Sequence, residues 1–116
     1  MAKDPEHPII DRPFEYRILD FRYYAGEDSE EPFIDMTLAR QSVVRRLRFW
    51  SPRDLEIEKG FPVPTSGMEI LDVRGRQMQG IGVRIGDFER NWGSVTFWAR
   101  EVVDLDTIEA DERSRS

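Results

Sequence analysis

The groups in this chain that could do chemistry are carboxylates, guanidiniums and indoles, because the usual nucleophiles and bases are nearly absent. Among 116 residues there is no cysteine and a single histidine. That histidine, His7, stands between Glu6 and Pro8 in a proline-rich stretch, where no regular element would hold it within hydrogen-bond reach of a serine. Ser-His and Cys-His catalysis are thereby excluded, together with thiolate and histidine zinc sites. Any acid-base work falls to carboxylates.

Asp54, Glu56 and Glu58 occupy alternate positions, so a strand there would align three carboxylates on one face. Such a set could run glycoside hydrolysis or hold a hard cation. The intervening Leu55 and Ile57 explain the same pattern as the water-facing side of an edge strand whose charges deter pairing, and that reading is preferred. Glu27-Asp28-Ser29-Glu30-Glu31 lacks the ligand order of an EF-hand and reads as a solvated loop. Gly80, Gly82 and Gly86 are no nucleotide-binding fingerprint, since Ile81, Val83 and Ile85 alternate as a strand where such a loop would open a helix. Gly80 and Gly82 instead leave room for a neighbouring ring or a close backbone. No metal and no cofactor is implied.

The strongest binding signal is a stripe of arginine and tryptophan. In Val43 to Trp50, one parity gives Val43, Arg45, Leu47 and Phe49, and the other Val44, Arg46, Arg48 and Trp50. With Val43, Leu47 and Phe49 inward, Arg46, Arg48 and Trp50 face out. In the last strand Val95, Phe97 and Ala99 face inward and leave Thr96, Trp98 and Arg100 outside, while Arg84 has the outward parity of its own strand. If these strands share a sheet, Arg46, Arg48, Trp50, Arg84, Trp98 and Arg100 form one binding face. Trp and Arg dominate interface hot spots, which suits an acidic protein partner. Stacking and phosphate contacts would suit single-stranded nucleic acid. Cross-strand stacking of Arg on Trp could equally be mere cover for a sheet.

The elements that must carry these groups are strands. Ile70 to Arg100 alternates apolar residues with a period of two and is punctuated by Gly75, Gly86 and Gly93. Phe14 to Tyr24 starts with Phe14, Tyr16 and Ile18 in one phase and continues with Leu19, Phe21 and Tyr23 in the other, the mark of a β-bulge or a change of sheet. Phe33 to Ala39 and Gln41 to Trp50 predict a hairpin, and Leu55 and Ile57 a short strand ending at Lys59-Gly60. Phe61 to Gly67 holds Pro62 and Pro64, so it reads as a connection between sheets, with Phe61 and Val63 plugging the end of the core. Met68 to Arg74 and Met78 to Ile85 predict a hairpin about Gly75, and Ser94 to Val102 the final strand. The expectation is a single-domain, all-β antiparallel sandwich of about seven short strands, with a small β-barrel as the alternative.

Residues 1–12 read as a flexible or edge-hugging arm, 13–104 as the sandwich, and 105–116 as an acidic flexible tail with one frayed helical turn around Thr107-Ile108-Glu109. No signal peptide opens the chain and no apolar run approaches the ~18 residues that span a bilayer, so a soluble, cytoplasmic protein without membrane contact is expected. The net charge of −6 is uneven: residues 1–39 carry 4 basic and 10 acidic groups, 40–100 carry 11 and 7, and 101–116 carry 2 and 6. Fifteen of the 17 basic residues are arginine, a bias that genome composition explains better than a surface built on planar cations. Overall acidity argues against nucleic-acid coating. These residues predict a non-enzymatic module that binds another protein through its Arg/Trp face, ahead of a nucleic-acid-binding domain and a carboxylate-dependent glycan-processing enzyme.

Overall fold

The computed structural model describes residues 4–61, 68–87 and 94–106. Within them lie β1 (Arg17–Tyr24), β2 (Phe33–Arg40), β3 (Val43–Trp50), β4 (Arg53–Ile57), β5 (Met68–Asp72), β6 (Val83–Asp87), β7 (Val95–Ala99) and β8 (Glu101–Asp104). They form two antiparallel sheets of four strands, ordered β1-β2-β3-β8 and β4-β7-β6-β5. The sandwich expected from the alternation is the observed architecture. Ile34, Met36, Leu38, Leu47 and Phe49 from the first sheet pack against Met68, Ile70, Val83, Ile85 and Phe97 from the second. Phe49 meets Phe97 edge-on at 5.1 Å between ring centroids. Each such burial is worth roughly 1.5–3 kcal/mol, which makes these inward positions the reason the alternation is legible at all.

The phase switch in β1 is a bulge. Pairing with β2 slips between Ile18 and Asp20, and the extra residue, Leu19, is left exposed while Phe21 returns to the core side. β2 and β3 join through Gln41 and Ser42, with Arg40 opposite Val43 and Gln41 at φ 55°. Val43, expected inward, is exposed because this end of the hairpin runs beyond the core. Arg45, on the same parity, closes the end of the sandwich by donating to Asp104 at 2.7 and 3.1 Å and to the Ile9 carbonyl at 2.7 Å.

The eighth strand arises because the stretch from Ser94 to Val102 does not stay in one sheet. β7 belongs to the second sheet and β8 to the first, and β3 crosses the other way into β4 through Ser51 and the buried Pro52. The two crossings lie side by side, with the Arg100 N–H donating to the Trp50 carbonyl at 2.8 Å. Gly82 is required here: a Cβ would lie 2.5 Å from the Arg100 carbonyl oxygen. Its role is the close backbone approach anticipated from the sequence. Other boundaries move for local reasons. Met78 to Gly82 is irregular, with left-handed backbone at Gln77 and Gly80. Gly86 lies inside β6 and bounds nothing, and Pro13–Glu15 forms a 3-10 turn ahead of β1.

The N-terminal residues hug a sheet edge. The His7 N–H donates to the Ile70 carbonyl at 2.9 Å and the Asp72 N–H to the Pro5 carbonyl at 2.8 Å, capping β5, while Ile10 enters the core. Asp4 pairs with Arg76. Phe61 packs edge-on against Phe21, as a core plug should, whereas Val63 lies outside the described residues, as do Thr107 to Glu109. Among the described residues no helix is long and apolar enough to cross a membrane.

His7 Nδ1 accepts the Ile9 N–H at 3.0 Å, a bond that protonation there removes. Burial holds the His7 pKa below its usual 6.5, with Asp72 acting in the opposite sense and Arg74 reinforcing burial. The folded state therefore disfavours the proton. Stability from this contact is complete above the unfolded pKa of 6.5 and falls as pH drops through it. Asp72, held at about 2 chiefly by its hydrogen bonds from Arg74, adds stability above 3.8 that is lost toward pH 2. Thermal melts should fall between pH 7 and 5 in the wild type; His7→Ala should flatten that window and leave the decline below pH 4. Urea unfolding checks the corner: Gly82→Ala should cost about 1–3 kcal/mol. Gly75→Ala, with nothing within 4 Å of the new methyl, should stay within about 0.5 kcal/mol of wild type.

Candidate functional site

The six stripe residues do not share a face. Arg46, Arg48 and Trp50 lie on β3 in the first sheet, Arg84 and Trp98 on β6 and β7 in the second, and Arg100 at the corner between them. The condition for a single face, that these strands share a sheet, is not met. The core separates the two outer faces.

On the first sheet the stripe is internally satisfied. Tyr24, Phe33, Trp50 and Glu101 stand in one register row, and Arg22, Asp35, Arg48 and Val103 in the next. Arg48 donates to both oxygens of Asp35, at 2.7 and 2.9 Å, and its guanidinium lies 3.8 Å from the Phe33 ring centroid. The Asp35 hydrogen bonds hold the Arg48 pKa above its ordinary value. Phe33 stacks on Tyr24 at 5.0 Å and meets Trp50 edge-on at 5.4 Å. Arg46 donates to Asp106 at 2.6 and 2.9 Å. These contacts are the sheet cover considered from the sequence.

Arg100 holds the corner. It donates to both oxygens of Glu31, at 2.7 and 3.0 Å, and to Glu101 at 2.9 Å. Ser51 donates its hydroxyl to the same Glu31 at 2.6 Å. Arg100, then Ser51, draw the Glu31 carboxyl below the usual range. The acidic loop is thus a structural anchor at Glu31 and Glu30, the latter accepting from the Tyr24 hydroxyl at 3.0 Å.

The second sheet differs. Arg53, Trp98, Arg84 and Leu71 form one register row across β4, β7, β6 and β5. Arg84 lies 5.0 Å and Arg76 5.8 Å from the Trp98 ring centroid. Arg76 is paired with Asp4, but among the described residues Arg53 and Arg84 have no carboxylate partner. The half-buried Trp98 indole therefore lies against the Arg84 guanidinium, with Arg53 opposite it in the ladder, and among the described residues the hydrogen-bonding capacity of both arginines is open. Sequence reasoning found Arg84 and Trp98 but missed Arg53. Strict alternation puts Arg53 in phase with Leu55, hence inward; a bulge at Asp54, φ 55°, turns it outward beside Trp98.

That bulge also breaks the expected carboxylate row. Glu56 pairs with Thr96 in the ladder, and Asp54 falls out of step with it. Among the described residues no three Asp, Glu or His side chains converge as metal ligands.

The two faces should respond differently to truncation. Arg48→Ala removes the two hydrogen bonds that Asp35 accepts from it and should cost about 1–2 kcal/mol in chemical denaturation. Arg84→Ala loses only a cation–π contact and should cost less than about 1 kcal/mol. No protein-family model matches this chain, and comparison with curated proteins and with solved structures found no match either.

Proposed function

We propose that this chain is a non-enzymatic, cytoplasmic binding domain that receives an acidic segment of another protein on the outer face of its second sheet. Trp98 is the apolar anchor, and Arg53 and Arg84 are its charged flanks. The observation that supports the reading is the contrast between faces: Arg46, Arg48 and Arg100 are each spent on carboxylates of the chain itself, whereas Arg53 and Arg84 flank an indole without one. A carboxylate arriving there meets planar donors able to bind it bidentately, next to a ring able to take the aliphatic part of the same side chain. Centrally placed Trp and Arg carry most of the binding energy in protein interfaces.

Pull-down from nuclease-treated lysate tests this with three variants first shown to be folded. Wild type and Arg46→Ala should retain the same discrete protein. Trp98→Ala and Arg53→Ala/Arg84→Ala should each lose about thirtyfold in affinity, the scale of a hot-spot residue. Titrated against the pure protein, a Glu-rich peptide should bind and its Gln counterpart should not. Retention of the partner by both variants overturns the reading. Capture seen only in a parallel pull-down from lysate without nuclease, weakening log-linearly with salt, replaces it by nucleic-acid binding.

A further inference from the structure

A sheet that does not close has two edges, and each exposes unpaired backbone donors and acceptors unless something blocks it. Three of the four edges here are blocked or poor. β5 is capped by the arm through Pro5 and His7. β4 is short and broken by its bulge, and β8 has four residues, of which Glu101 and Asp104 are acidic. β1 is different: it runs for eight residues from Arg17 to Tyr24 and, among the described residues, pairs only with β2. Its single protective device, the bulge at Leu19, lies toward one end.

The side chains along this edge are self-complementary about Phe21. One residue to either side stand Asp20 and Arg22, of opposite charge; two residues away stand Leu19 and Tyr23, exposed at 52% and 47%; three residues away stand Ile18 and Tyr24. Antiparallel pairing of β1 with its own copy, with Phe21 on the two-fold axis, would set Asp20 against Arg22 of the second copy twice. It would also set Leu19 against its Tyr23, and the bulge ends the match there, because Ile18 beyond it faces the core while Tyr24 lies on the outer face. No like charges meet. Among the described residues both charges are open. Arg22 lies opposite Asp35 in the ladder, but Arg48 occupies both oxygens of that carboxylate. Asp20 lies opposite Thr37, and among the described residues neither Asp20 nor Arg22 has an ion-pair partner.

We infer that β1 is a homodimerisation edge, pairing antiparallel with β1 of a second copy about Phe21 and extending the first sheet from four strands to eight. Isologous pairing of this kind is the commonest form of closed symmetry and leaves no free β1 edge. One strand pair buries less than the ~1,200 Å² of a standard interface, so the association is concentration-dependent. The surface is separate from the Trp98 face on the other sheet, and the two inferences stand independently.

Sedimentation equilibrium on the full chain tests it. Wild type should shift with concentration from 13.7 kDa toward twice that mass. Asp20→Arg or Arg22→Asp alone creates two like-charge pairs and should weaken the dimer by about tenfold. The double variant Asp20→Arg/Arg22→Asp swaps the charges and should restore it. The cysteine-free background gives a second readout on exposed positions. Opposed residues of antiparallel strands have Cα atoms at about 4.5–5.5 Å, within disulfide reach. A Leu19→Cys chain mixed with a Tyr23→Cys chain under oxidised glutathione should therefore give the mixed disulfide as its main product, and either chain alone should not self-link. Wild type that stays at monomer mass into the millimolar range overturns the inference. So does a double variant no better than the singles, or mixed chains that fail to cross-link.

Discussion

At the corner where β3 runs into β4 and β7 runs into β8, a backbone hydrogen bond from Arg100 to Trp50 joins two chain segments as they leave one sheet for the other. Strands that switch sheets need a bend, and a bend leaves backbone groups without ladder partners. Here they find each other across the crossing. The approach is close enough that position 82 has no room for a side chain, and Glu31 clamps the outside by gathering Arg100 and Ser51 onto one carboxylate. Both sheets, the opposition of Phe49 to Phe97, and the separation of the two arginine-bearing faces follow from that turn.

The same turn sorts the arginines by what they do. On the first sheet Asp35, Asp106 and Glu31 lie within reach of Arg48, Arg46 and Arg100, so the positive charge there is neutralised locally. Such pairs add modest stability at the surface and more where, as with Arg48 and Asp35, the geometry is bidentate and partly shielded by a ring. On the second sheet the register row through Trp98 carries Arg53 and Arg84 and, among the described residues, no carboxylate paired with either.

Edges are handled as unevenly as faces. The N-terminal arm contributes two backbone hydrogen bonds to β5, and Ile10 in the core, with Asp4 on Arg76, ties that cover down at both ends. Pro5 and Pro8 suit a segment that caps an edge without offering a new one, because a proline has no N–H with which to continue the ladder. Among the described residues β1 has no equivalent cover.

The alternation of Ile34, Met36 and Leu38, of Leu47 and Phe49, and of Val95, Phe97 and Ala99 was enough to establish an all-β antiparallel fold, because burial acts on every second residue of a strand and leaves its period in the sequence, while the choice of sandwich over barrel came from the sheet pairing. The phase switch at Ile18-Leu19 pointed by the same logic to a bulge or a change of sheet, and the pairing with β2 makes it a bulge. A second switch, from Ala99 to the buried Val102, carried the change of sheet at Arg100 and passes unnoticed when the stretch is read as one strand. Which strands share a sheet was beyond local periodicity, since that is set by long-range pairing and by the corner. Arg48 and Arg84 look alike along the chain, each outward on a strand near a tryptophan. Only the tertiary structure decided that one faces Asp35 and the other faces solvent beside Trp98, because a neighbour across a sheet is chosen by the fold and not by sequence distance.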